Sequence, residues 1–145
     1  MRAVVRGIGP RDRATIVSFT TDAAALTEPT ASAHYDAEYF TGEWRDAGNN
    51  YSLEVRRGIE GRNPALIKEV FQPVRALDLG CGPGALMHLL FELGVDVEGI
   101  DFAESSKRLA TPEVRDRIAI GAVTDPTLKP DNCVDLIICR EVIEH

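Results

Sequence analysis

Cysteine is scarce in this chain of 145 residues. There are three, Cys81, Cys133 and Cys139, an odd number with no CxxC pair. That argues against a disulfide framework and against a zinc site. Long apolar runs are missing too. No stretch reaches the length needed to span a bilayer, and the start lacks a charged-then-apolar leader, so a cytoplasmic location is expected. Positive charge is in deficit: 16 Lys and Arg stand against 23 Asp and Glu, a formal charge of −7. Without a basic face, tight binding along a nucleic-acid backbone is not expected, whereas a small cationic ligand is compatible. There is no Gly-Lys-Ser/Thr phosphate loop, no internal repeat and no low-complexity segment.

What is present suits one small domain with a real core: 44% of the residues are hydrophobic. Residues 1–33 carry the weakest signal and read as an arm, with "ATIVSFTTDAAAL" either a short strand or mobile chain. Residues 34–73 read as a helical cap. In it, "HYDAEYF" starts a helix or packs as a lid, and two short helices follow in "YSLEVRRGIEG" and "NPALIKEVF". Asn63 is the expected N-cap of the latter, with Pro64 at the first helical position.

From residue 74 the pattern sharpens. "VRALDL", "VDVEGIDF", "IAIGAV" and "VDLIICREV" read as strands, separated by "GALMHLLFELG" and a weaker crossover through "SSKRLATPEVRDR". Strands alternating with helical segments predict an α/β fold: a parallel sheet flanked by helices.

The stretch "ALDLGCGPGAL" is the most informative. A strand running into Gly80, Gly82 and Gly84 and then into a helix brings bare backbone to a ligand at the carboxyl edge of a sheet. Gly84 also lets the helix sit close on the strand. Cys81 needs only to be small. The N–H groups at the helix start are expected to be ready partners for the polar end of a ligand. Asp78, two residues before the first glycine, would repel a pyrophosphate and attract a cation. Asp101 ends the next strand, seventeen residues after Gly84, where a carboxylate can accept from both hydroxyls of a ribose. Phe102 follows, placed to lie against a base. An adenosine that carries a positive group satisfies all three features.

These residues resemble the class I S-adenosylmethionine-dependent methyltransferases, with a Rossmann-like fold. "LDLGCGPG" is similar to their first motif and "VEGIDFAES" to their second. "CVDLIICREVIEH" is similar to the fourth-strand motif of the small-molecule branch. The resemblance covers residues 74–145. It implies S-adenosyl-L-methionine as cofactor, with the backbone of Gly80 and Gly82 around its methionine part. Asp78 would hold the ammonium, Asp101 the ribose and Phe102 the adenine. Asp125 corresponds loosely to the contact with the adenine amino group, although Pro126 after it has no N–H to give. Arg140 stands where cofactor and acceptor meet. The resemblance also implies strands beyond the fourth, so a C-terminally shortened domain is expected.

A sulfonium makes its methyl electrophilic by itself, so the protein has to align an acceptor and take up a proton. His145 is the expected base, with Glu144 beside it; a capping or packing role for His145 stays open. Glu141, Glu144 and His145 share one face if the chain is helical there, a pattern similar to metal-dependent RNA 2′-O-methyltransferases of small-RNA ends. Favourable charge at a helix start explains the same residues, and no metal is assigned. The expected function is methyl transfer, O-methylation foremost, to a small-molecule acceptor. The alternatives are that RNA reaction and a cofactor-binding fragment without catalysis.

Overall fold

The computed structural model describes residues 35, 37–42, 50–125, 127–130, 133–140 and 142, and the backbone of 2–6 and 15–20. Among the described residues, six strands form a single sheet: β1 (Arg2–Arg6), β2 (Thr15–Thr20), β3 (Arg75–Leu79), β4 (Asp96–Asp101), β5 (Ile118–Ile120) and β6 (Leu136–Arg140). Their spatial order is β1-β2-β6-β3-β4-β5. The pair β1–β2 is antiparallel and every other pair is parallel.

Strand β3 lies at the centre, and its Ala76, Leu77 and Asp78 are all buried. Consecutive burial marks a strand covered on both faces, as parallel strands are. Asp78 is the one charged residue in that run, and burying a carboxyl there is costly unless function requires it. Helix α4 (Ala85–Glu92) follows and buries five consecutive residues, Leu86 to Leu90. Met87 and Leu90, both with no exposed surface, meet Val95, Val97, Val114, Ile118, Leu136 and Ile138 in the core. Each such side chain contributes about 1.5–3 kcal/mol by leaving water.

Helices α5 (Glu104–Leu109) and α6 (Pro112–Arg115) make the crossover from β4 to β5. Ahead of the sheet come α1 (Ala37–Thr41), α2 (Leu53–Glu60) and α3 (Asn63–Phe71). Ser52 caps α2 by accepting from the Val55 N–H at 3.4 Å. Asn63 is not the cap of α3 as expected: the helix already includes it, Arg62 precedes it, and Arg62 makes no side-chain capping bond.

Of the two readings of "ATIVSFTTDAAAL", the strand is the one found. Thr15–Thr20 runs parallel to Leu136–Arg140, so β2 lies along the edge of β6 that the sequence reading leaves open. The reason is physical: ladder donors and acceptors on an uncovered parallel edge need partners, and a β-branched segment of matching length supplies them. The expected third strand is shorter than "IAIGAV" and ends at Ile120.

Candidate functional site

Parallel register puts three strand ends side by side. Leu79 of β3 pairs with Ile100 of β4 and with Cys139 of β6. The loop that starts at Gly80 therefore lies between Asp101 on one side and Arg140 on the other. Asp78, one turn of pleat earlier, is buried beneath it.

The loop is tied down at nearly every donor. Gly80 and Cys81 donate their N–H groups to the Ile100 carbonyl at 2.8 and 3.2 Å, and Gly84 donates to the Cys81 carbonyl at 3.0 Å. Gly82 donates to Asp101 Oδ2 at 2.8 Å, while Ala103 donates to Oδ1 at 2.9 Å. These four donors precede the helix start, where free N–H groups are expected, and the protein uses them itself. A pyrophosphate would find no cradle there. What the loop has left for a ligand is carbonyl oxygen and buried carboxylate, a donor set that suits a cation. Each Asp101 oxygen has a second lone pair beyond the backbone bond it accepts.

Two glycines are set by their neighbours. Gly80 has φ +69°, and a Cβ on it would collide with Val142 just past β6. Gly82 has φ +53°, and a Cβ on it would lie 3.3 Å from the Phe40 ring. The loop is therefore pressed between the segment after β6 and the cap helix α1. Gly84 caps α4 and sits against Val114 and Ile118. Cys81 turns its sulfur into the core: it occupies, with Met87 Sδ, the space a Cβ on Gly99 would take, at 2.6 and 2.5 Å. Burial pushes its thiol well above the usual range, and any ligand contact of Cys81 runs through its backbone.

The acids are tuned by burial. Asp78 is pushed up to about 7, first by desolvation; Arg140 opposes this, and Glu60 and Asp101 add to it. Asp101 is also raised by burial, with the Ala103 and Gly82 bonds pulling the other way. Arg140 grips Glu60 with both terminal nitrogens, at 2.8 and 2.9 Å.

Phe102 is partly exposed, at 37%, with its ring 5.1 Å edge-on from Tyr35. Ser105 Oγ of α5 donates to the Tyr35 carbonyl at 2.5 Å, which joins the cap to the second half of the site. A half-open groove of about 160 Å³ lies between cap and loop, lined by Phe40, Tyr51, Ser52, Pro83 and Leu109 among others. That is smaller than the roughly 300–1,000 Å³ of ordinary ligand sites, so it takes only one end of a ligand. Asp125 stands apart in an exposed turn, where its carboxylate accepts from Thr127 N at 2.8 Å and Thr127 Oγ1 at 2.7 Å. Glu144 and His145, and with them the candidate Glu141–Glu144–His145 trio, lie outside the described residues.

Sequence reasoning missed Glu60 and the placement of Phe40 on Gly82. An acid in a short helix reads as solvated surface, and nothing local to Glu60 marks a partner eighty residues away.

The comparisons agree with this geometry. Residues 77–145 match a family described as "Methyltransferase domain". The chain is 36% identical over 76 residues to a ubiquinone biosynthesis O-methyltransferase of Bordetella avium (strain 197N), covering 49% of this chain and 32% of that protein. It is 32% identical over 89 residues to the protein of that description from Sinorhizobium medicae (strain WSM419), covering 59% and 36%. Among solved structures, it is similar to the plantazolicin methyltransferase BpumL in complex with SAH, at 16% identity and a TM-score of 0.37, covering 74% of this chain and 46% of that one. Residues 77–145 are thus similar to a methyltransferase domain, and the parallel strands flanked by helices form a Rossmann-like α/β arrangement. The chain spans about a third of the length of the curated relatives it matches.

Proposed function

We propose that the chain binds S-adenosyl-L-methionine over the Gly80–Gly84 loop and serves methyl transfer to the hydroxyl of a small molecule. The observation that carries this reading is the loop flanked by two buried acids, Asp78 and Asp101, with its backbone donors turned inward. That donor set fits a cationic nucleoside and rejects a dinucleotide pyrophosphate. The names of the relatives support a hydroxyl acceptor.

The residues divide the work as follows. Asp78 meets the ammonium, Asp101 the ribose hydroxyls, and Phe102 gives the base a flat apolar neighbour. The backbone of Gly80 and Gly82 cradles the amino-acid part, and Arg140 stands beside it. When bound, the cofactor supplies an electrophilic methyl on a sulfonium. Phe40 and the Tyr35–Tyr39 pair of the cap exclude water from the loop. His145, with Glu144, is the proposed acceptor of the hydroxyl proton; its support is its place five residues past Arg140 in the sequence. Asp125 is kept as a weaker adenine contact. No helix among the described residues is long and apolar enough to cross a membrane, which suits a small diffusible acceptor, and we propose a cytoplasmic setting.

The test is transfer of a labelled methyl from S-adenosyl-L-methionine to a panel of small hydroxylated acceptors. Label is expected in at least one acceptor, and less of it with His145→Ala. Label in short RNA ends, lost on chelation, would overturn the small-molecule reading.

A further inference from the structure

Glu60 is hard to explain as a structural residue. It is the last residue of α2 and the one buried position of that helix, 5% exposed. A carboxylate there is opposed twice: by desolvation and by the negative end of the helix dipole. Seven other residues of α2 stay at or near the surface. The chain nevertheless reaches across to Arg140, the last residue of β6, and closes a two-point ion pair at 2.8 and 2.9 Å.

The setting of that pair gives it a purpose. Arg140 ends the strand next to β3, so its guanidinium lies within electrostatic reach of Asp78. Three charged groups act on Asp78: Arg140 from β6, Glu60 from α2 and Asp101 from β4. Two acids, Asp78 and Glu60, thus lie within reach of one guanidinium, and an arginine fork can satisfy only one carboxylate in two-point fashion. If it took Asp78, the carboxylate would be neutralised internally and closed to a ligand. Because it takes Glu60, the Asp78 carboxyl oxygens stay open to a ligand.

We propose that Glu60 is a positioning residue for the cofactor site: by occupying the Arg140 fork it keeps the Asp78 carboxylate available to the ammonium of the ligand. The proposal rests on the cofactor reading above and explains why an acid is buried at an unfavourable helix end.

The test replaces Glu60→Gln, which keeps shape and removes charge. In the ligand-free protein, the ¹³C resonance of the Asp78 carboxyl is followed against pH. S-adenosylhomocysteine affinity is measured in parallel by calorimetry. The freed fork and the lost repulsion both favour ionised Asp78, so the Asp78 midpoint is expected to fall by about one pH unit or more. Affinity for S-adenosylhomocysteine is expected to fall about tenfold or more, as Arg140 competes with the ammonium. A merely structural Glu60 would lower the melting temperature and leave the midpoint unmoved; that result overturns the proposal, as does a shifted midpoint with unchanged affinity. If the unsubstituted chain binds no S-adenosylhomocysteine, the cofactor reading fails, and the midpoint alone decides the coupling of Glu60 to Asp78. Should Glu60→Gln not fold, Glu60→Asp keeps the charge but loses the two-point grip, and the midpoint is expected to move the same way by a smaller step.

Discussion

The carboxylate of Asp101 accepts a hydrogen bond from the backbone N–H of Gly82 at 2.8 Å, nineteen residues earlier in the chain. The end of β4 therefore holds the loop after β3 in shape. With its other oxygen Asp101 also fixes Ala103, at the start of α5. One side chain thus sets the loop and, in the proposed function, reads the ribose.

Asp101→Ala removes both bonds and leaves two backbone donors in a buried place. Loss of stability of about 1–3 kcal/mol is expected for the ligand-free chain in urea denaturation. Binding of S-adenosylhomocysteine is expected to vanish. Unchanged stability would mean that the loop holds itself.

Asp78→Asn should stabilise the ligand-free chain while abolishing the site. In the folded protein Asp78 keeps its proton up to about pH 7, against 3.8 for the ordinary carboxyl. Between these values the folded state binds the extra proton, so stability falls as pH rises through that window and is lowest above it. The asparagine variant carries no such penalty. Its advantage over the unsubstituted chain is expected to grow on going from about pH 4 to about pH 8, by an amount on the order of 4 kcal/mol. Thermal unfolding at the two pH values checks the sign. An advantage independent of pH would contradict the assignment.

Gly80→Ala and Gly94→Ala separate crowding from backbone strain. Both glycines have positive φ, +69° and +76°. A Cβ on Gly94 meets nothing within 4 Å, whereas one on Gly80 runs into Val142. Gly94→Ala is expected to lose about 1 kcal/mol. Gly80→Ala is expected to lose about 1–3 kcal/mol more, because Val142 and the end of β6 must shift. Equal losses would mean that Val142 yields freely.

Leu90→Ala tests the core on which the site stands. Leu90 is wholly buried, and the change is expected to lower unfolding free energy by about 2–5 kcal/mol. The Asp101–Gly82 relationship lies at the far edge of the sheet, so affinity measured on the folded fraction should hold.

The central strands were legible because burial on both faces writes itself into sequence as an apolar run: "ALDL", "VEGID" and "LIIC" could be little else. Asp78 and Asp101 stood out for the same reason, as acids inside such runs. The pairing of Thr15–Thr20 with β6 was not legible, since its partner lies more than a hundred residues on and local alternation cannot name it. Glu60 was hidden likewise: its burial comes from Arg140, not from its neighbours in α2. The cap at Asn63 failed by one residue because Pro64 is acceptable in either of the first two helical positions. The inward turn of the loop donors depends on the Ile100 carbonyl and Asp101, which only the register of β3 and β4 brings close.

The central claim is that the acid-flanked loop recognises a cationic nucleoside and not a dinucleotide. Calorimetric titration of the chain with S-adenosylhomocysteine, beside NADH and beside Asp101→Ala, tests it most directly. S-adenosylhomocysteine is expected to bind at about micromolar strength or tighter, with no heat from NADH and none in the variant. Binding of NADH, or no binding of S-adenosylhomocysteine by a chain shown to be folded, would contradict it.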